Sequence, residues 1–473
     1  MWKTLKKLST VFLTIILADF FNIDAEREMT LVESILLSCG ICLVLTVILA
    51  SFSYFFKKFY ISDGNLVVTH GLIDRENTSI PLDKVHSLRT QKGILYRLFD
   101  MRGIVFDTLA SRQEEVELIL SDADWKQLLD IIEKEDRKQY ETSSSHPTVT
   151  PTTVVLPTTR LLLAALCQNH LKGMAVLGSL FAIIFSNLSD LPDATTHRMT
   201  LWLENFFGSV SYTLPGILLT FAAGYLMILF FLLGRILFRY ADMIMSYDRR
   251  LITFTYGLFS RNSSRFFHDK ICTIWIKRNF LERKFGFSTI MLRQALFASA
   301  EKEEDRIKIY GSDSSGFFLD WWIGAGKAST PDFLAAKSGK GVLIISILPP
   351  LLLTILAVII LCHYNLFIWL IFPLVYLIVS IFKGILKMRH SQIHLKPECI
   401  LINCGSFAFI SNYLKYGNVE VIGLHRSPLS RFTGRLTLII STSGTTFRLR
   451  SLPEAEALLI YDAILAKASG QYF

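Results

Sequence analysis

Six basic residues recur as three pairs, each pair five residues apart: Lys92 and Arg97, Arg278 and Arg283, Arg426 and Arg431. Lysine and arginine grouped this way can hold phosphate or carboxylate oxygens through charge-assisted hydrogen bonds. Beside an anionic bilayer, each adds roughly 1 kcal/mol of attraction. The surrounding segments lean positive. Asp83–Asp107 carries five Lys/Arg against three acids, Asp269–Arg293 six against two, and Gly417–Ser441 three against one. Three readings fit such a basic turn: pairing with carboxylates of its own domain, contact with a lipid surface, or docking of a protein partner.

Other reactive arrangements are missing. There is no GxxxxGK[ST], no HExxH, no GxSxG, and no Cys/His cluster with metal-ligand spacing. The expectation is a non-enzymatic protein without a cofactor. Cys39-Gly-Ile-Cys42 has redox-like spacing but lies in an apolar run, where two small residues packing within a helix is the simpler reading. The seven cysteines do not form an extracellular disulfide framework. Gly311–Gly316 reads as a surface loop. The net charge of +9 is dispersed among turns without a recognition motif, which argues against nucleic acid.

The basic pairs sit in an internal repeat. Without gaps, Val68–Phe106 lies over Phe254–Leu292 and over Ile402–Ile440, 39 positions each. Gly71, Gly257 and Gly405 fall in one column; Val85, Ile271 and Val419 follow in another, then Leu95, Leu281 and Leu429. Each copy opens on alternating apolar and polar residues, such as Leu66-Val67-Val68 after the turn Asp63-Gly64-Asn65, which predicts short antiparallel strands. The shared glycine marks a turn or bulge where a side chain would clash. Copies one and three close with helical patterns at Asp122–Lys134 and Pro453–Lys467. The corresponding segment of the middle copy, Gly316–Gly326, reads as irregular.

Six apolar stretches separate the copies, and about twenty apolar residues cross a bilayer core. They are Leu8–Ile23, Leu31–Phe56, Leu171–Leu188, Leu214–Phe238, Gly341–Cys362 and Leu366–Phe382; 51% of the chain is hydrophobic and its mean hydropathy is +0.42. Leu8–Ile23 is short and contains Asp19, but no small-residue cleavage site follows it, so it reads as a retained helix. Lysines and arginines gather outside the paired spans: Lys3, Lys6, Lys7, Lys57, Lys58, Arg235, Arg239, Lys337, Lys340, Lys383, Lys387 and Arg389. The positive-inside rule then places both termini and every long polar segment in the cytoplasm. The span interiors hold almost no ionisable residues, which argues against an ion-driven carrier. Pro349, Pro350 and Pro373 interrupt the last two spans, as kinks in an adapted hairpin or as a hinge or access path.

The run Ile61-Ser62-Asp63, Gly71, Ile80-Pro81-Leu82-Asp83-Lys84-Val85 and Leu95-Tyr96-Arg97-Leu98-Phe99 resembles the bacterial pleckstrin-homology-like, membrane-flanked domain. The second and third copies lack the Ile-Pro-Leu-Asp-Lys run. The resemblance implies an α+β membrane protein: six transmembrane helices in three hairpins, each followed by a small cytoplasmic PH-like seven-stranded β-barrel with a C-terminal helix. Expected segments are hairpins over 1–58, 161–240 and 337–388, PH-like domains over 59–138, 241–336 and 389–473, and a mobile Ser/Thr/Pro-rich linker over 139–160. The implied role is a lipid- or protein-binding scaffold in a bacterial envelope or antimicrobial-stress process. Its partners would be anionic inner-leaflet lipids, with another membrane protein carrying a PH-like domain as a further candidate. The alternative is a transport or lipid-moving assembly using the helices as a path.

Overall fold

A computed structural model of the protein describes residues 58–62, 64–70, 76–81, 85–108, 116–141, 152–168, 214–248, 251–294, 307–313, 315–426, 433–443 and 445–469, and the single positions 40, 44 and 48. The chain divides into two compact bodies. One comprises Met1–Lys84, Asp130–Ser143 and His170–Ile228, and the other Val85–Leu129, Ser144–Asn169 and Leu229–Phe473.

The first copy contributes β1 (Lys58–Ser62), β2 (Asn65–His70) and β3 (Glu76–Pro81), a three-stranded antiparallel sheet in that order. Gly64 of the expected turn stands between β1 and β2, at φ +72°. Then come β4 (Val85–Lys92), the short helix α1 (Ile94–Leu98), β5 (Met101–Thr108), β6 (Val116–Ser121) and the closing helix α2 (Asp122–Glu141).

The second copy begins inside the segment expected to be a mobile linker. Thr152–Val155 form β7, followed by α3 (Thr158–Leu166), which buries Leu161, Ala164 and Ala165. After the long helix α4 (Leu214–Tyr240) come β8 (Ile244–Tyr247), β9 (Leu251–Tyr256), β10 (Arg261–Phe267) and β11 (Ile271–Arg278). The short helix α5 (Phe280–Lys284), β12 (Ser288–Gln294), β13 (Ile307–Ser312) and α6 (Ser315–Ile323) complete it. The segment expected to be irregular is therefore a closing helix. Phe318, Leu319 and Trp322 seat α6 in the core, and that burial outweighs the glycines around it.

The third copy repeats the plan with β14 (Leu334–Lys337), helices α7 (Gly341–His363) and α8 (Ile371–His390), β15 (Gln392–Leu395), β16 (Cys399–Cys404) and β17 (Phe409–Lys415). It ends with β18 (Val421–His425), β19 (Arg435–Thr442), β20 (Thr445–Pro453) and α9 (Glu454–Ala468). β7 pairs with β8 across α4, and β14 pairs with β15 across α7 and α8. In the third copy the α7–α8 hairpin is thus an insertion between the domain's first two strands rather than a leader in front of the domain, and in the second copy α4 stands in the same place. Backbone bonds stitch the strand ends together: Leu156 N–H to Met243 O at 2.9 Å in the second copy, and Ser338 N–H to Ser391 O at 3.0 Å in the third.

The expected closed seven-stranded barrel is not what forms. Two seven-stranded sheets run through the second body, in the orders β6-β5-β4-β10-β9-β8-β7 and β13-β12-β11-β17-β16-β15-β14. β4 of the first copy pairs with β10 of the second, and β11 of the second with β17 of the third. Each sheet therefore belongs half to one copy and half to the next. The core of the middle copy lies between its two half-sheets, joining Ile252 and Phe254 to Ile274, Ile290, Leu292, Ile307 and Trp322. In the third copy Ile393, Ile400, Ile402, Leu438, Ile440 and Ile464 do the same. Strand alternation supplies these faces: along β19 every second residue, Leu436, Leu438 and Ile440, is buried.

Three helices among the described residues are long and apolar enough to cross a bilayer: Ala222–Tyr240 within α4, Gly341–His363 and Ile371–His390. The spans expected at Leu8–Ile23, Leu31–Phe56 and Leu171–Leu188 lie outside the described residues, apart from three single positions. α7 and α8 pack through a small residue, Gly384, where an added Cβ would stand 3.1 Å from Leu343. α7 stays helical through Pro349 and Pro350, and the Thr354 hydroxyl donates to Pro350 O at 2.8 Å. Pro373 does not interrupt α8. It stands in the first turn, where the missing N–H has no helical partner to lose.

Candidate membrane-facing surface

The first basic column closes each domain on itself. Lys92 ends β4, and its ammonium meets the carboxylate of Asp122, the first residue of α2. It also donates to Asp100 Oδ1 at 3.3 Å, while Arg102 Nε donates to Asp122 Oδ1 at 3.2 Å. Arg278 ends β11 and donates from Nη2 to the hydroxyl of Ser315, the first residue of α6, at 3.2 Å. Arg426 follows β18 and bonds Glu454, the first residue of α9. In all three copies a cation at the end of one strand ties down the start of the closing helix. A carboxylate there also suits the helix N-terminus. The Lys92 hydrogen bond holds the Asp122 carboxyl below its ordinary range, and the same contact raises Lys92. Own-domain pairing therefore accounts for this column, except that the middle copy offers Arg278 a neutral hydroxyl.

The second column behaves differently. Arg97 lies in α1 and Arg283 in α5, both exposed; Arg431 lies outside the described residues. Each stands beside large apolar side chains turned outward. Leu98 and Phe99 are 76% and 68% exposed at the end of α1, and Phe280 and Phe285 are 76% and 57% exposed around α5, with Leu281 and Lys284 also exposed.

Register places these tips beside the ends of the apolar helices. Lys92, two residues before α1, pairs with Arg261, just after the turn at Gly257–Ser260. In that turn Phe259 packs on Phe238 of α4, with ring centroids 5.1 Å apart. Arg278 likewise pairs with Phe409, just after a turn in which Phe407 packs on Phe382 of α8 at 6.1 Å. Arg283 lies over the Phe409 ring, 6.0 Å from its centroid. The glycine column builds these turns. Gly257 and Gly405 have φ of +110° and +103°, and a Cβ would come within 2.2 Å of Ser260 O and 2.0 Å of Ala408 O.

A buried acid that the sequence reading passed over holds the α5 tip. Glu282 has no exposed surface, next in sequence to exposed Arg283. Its Oε2 accepts from Asn279 N–H at 2.7 Å, and its Oε1 accepts from the Thr289 hydroxyl at 2.7 Å and from Gln168 Nε2 at 3.2 Å. Anchored this way, the single turn of helix presents its other side chains outward. The only sequence sign of it is the Asn-x-x-Glu spacing of a helix start. A well-formed cleft lies elsewhere, between Leu156, Arg160, Tyr240, Met243 and Tyr310. It encloses about 10 Å³, room for roughly one water rather than a substrate.

Comparison with known proteins finds the same threefold repeat. The family model described as bacterial PH domain matches three times, at residues 12–136, 201–315 and 342–467. The UPF0699 transmembrane protein YdbT of Bacillus subtilis (strain 168) is 22% identical over 265 residues, which is 53% of this chain and 52% of that protein. The chain thus aligns with about half the length of that relative. No solved structure matches. With three copies of one domain matched over most of its length and three bilayer-length apolar helices among the described residues, the chain is a membrane protein of the bacterial PH domain family.

Proposed function

We propose that this protein is a non-enzymatic, multi-pass scaffold whose PH-like domains lie against the anionic inner leaflet of a bacterial plasma membrane. In this reading six spans form three hairpins, and both termini are cytoplasmic. The observation that carries it is the pairing of outward aromatic and basic residues at the tips beside the helix ends. Leu98, Phe99, Phe280 and Phe285 supply rings and alkyl groups for the interfacial layer, while Arg97, Arg283 and Lys284 meet lipid phosphates. Exposed apolar groups rimmed by charge mark interaction surfaces in general. The hairpin favours a scaffold over a transport path. Its outward side chains, such as Leu352, Ile355 and Ile359, are mostly apolar, with the Tyr376 ring also exposed, while the hydroxyl residues Thr354 and Ser380 are buried and Ser346 is half-buried. An envelope or antimicrobial-stress process is the setting we assign to such a scaffold.

The test uses the full chain in nanodiscs of pure phosphatidylcholine or with phosphatidylglycerol added. Amide hydrogen exchange should slow at residues 94–101 and 279–287 when anionic lipid is present. Combining Arg97→Glu, Arg283→Glu and Arg431→Glu should abolish that difference. At roughly 1 kcal/mol per basic residue, the α1 tip should gain about fivefold protection and the α5 tip, with two, about thirtyfold. Equal exchange in the two lipids would sink the membrane-surface reading.

A further inference from the structure

The copies join each other by one rule, and the rule leaves two loose ends. Counting from the shared glycine column, the residue 21 positions on in one copy pairs with the residue four positions on in the next. Lys92, 21 after Gly71, faces Arg261, four after Gly257. Arg278, 21 after Gly257, faces Phe409, four after Gly405. Each joint comprises six residue pairs, in the same register. β18 is the third copy's counterpart of β4 and β11, yet among the described residues it pairs only with β19. β3 is the first copy's counterpart of β10 and β17, yet among the described residues it pairs only with β2. Val421 on β18 is 58% exposed. An open strand edge is a template for another chain.

We propose that β18 of one molecule pairs antiparallel with β3 of a second copy, continuing the joint already used twice within the chain. Applying the rule sets His425 against Glu76, Leu424 against Asn77, Gly423 against Thr78, Ile422 against Ser79 and Val421 against Ile80. A second copy fits because the molecule carries both halves of the joint, one at each end of its repeat. The rule's first pair sets Arg426 against Arg75, as the first internal joint sets Lys92 against Arg261, and the next sets the His425 imidazole against the Glu76 carboxylate. The contact is head-to-tail, so it grows into a ring or a row of molecules in the membrane plane. The inference stands independently of lipid binding by the tips.

Cysteine pairing in native membranes tests the register. One tagged copy of the full chain carries Gly423→Cys, where an added Cβ meets nothing within 4 Å. A differently tagged copy carries Thr78→Cys, and the two are co-expressed and mildly oxidised. A disulfide joining the two tags is expected for this combination, and at least several-fold less for Gly423→Cys with Asn77→Cys or Ser79→Cys, whose side chains alternate to the other face. His425→Glu should weaken the cross-link, and Glu76→Lys should restore it. Cross-linking only when both cysteines share one chain would overturn the proposal in favour of internal closure. Equal yields at positions 77, 78 and 79, no cross-link at all, or efficient linking of Gly423→Cys to itself would overturn it too.

Discussion

Replacing Gly405 by alanine isolates the conformational demand of the turn that sits against the end of α8. The residue has φ +103°, and an alanine Cβ would stand 2.0 Å from Ala408 O and 3.2 Å from its carbonyl carbon. Both obstacles are backbone, so relief requires the turn to move by more than about 1 Å to reach ordinary contact distance. A side chain held in such a region costs about 1–3 kcal/mol before any displacement is counted. The matched control is Gly417→Ala. Gly417 has an ordinary φ and nothing within 4 Å, so reducing unfolded-chain entropy should stabilise it by about 0.4–1 kcal/mol. The two variants should therefore differ by about 1.4–4 kcal/mol, or at least about 6 °C in Tm for a domain of this size. Cys399 gives the readout. It is fully buried in the third domain, and burial pushes its thiol up to about 11, so it stays unreactive until the domain opens. Purified full chain in detergent would be heated in steps, pulsed with maleimide, and Cys399 labelling quantified by mass spectrometry. Superimposed curves for Gly405→Ala and Gly417→Ala would refute the argument that this column exists for backbone conformation.

Two further outcomes follow from the same geometry. Because Asp122 is held below its ordinary carboxylate value of 3.8, its contribution is complete above that pH and disappears as the pH falls through the lowered folded value. The protection factor of residues 122–129, which divides out the intrinsic pH dependence of amide exchange, should fall over that acid range in the native protein. In Asp122→Asn it should already be low at neutral pH and flat across the range; an unchanged acid response would refute the clasp. In the middle domain, Trp322→Ala should cost about 3–5 kcal/mol, since the ring is 1% exposed in the core. Phe280→Ala, on the outward tip, should stay within about 0.5 kcal/mol while reducing the lipid-dependent protection. Similar thermal shifts for the two would contradict the assignment of core and surface.

Much of this molecule is legible in its sequence because the signals are local. The Gly257 and Gly405 column, the alternation along β19 and the apolar lengths of α7 and α8 each reflect what a few neighbouring residues must do. Periodicity and backbone conformation register them directly. The basic columns were equally visible, but their separate fates were not. Lys92 and Arg426 are neutralised by Asp122 and Glu454, 30 and 28 residues further on, whereas Arg283 points outward because its neighbour Glu282 is buried beneath it. Nothing near the column encodes those partners. The middle closing helix was missed because α6 depends on burying Phe318 and Trp322 rather than on helix propensity.

The sequence by itself determined three copies, most of their strands and the three bilayer-length apolar helices among the described residues. Only the tertiary structure decided that the copies share sheets instead of closing into separate barrels. The physical reason is that strand edges pair through backbone N–H and C=O groups, which every residue except proline carries alike. β4 therefore shows the same side-chain alternation whether its edge meets its own domain or β10 of the next.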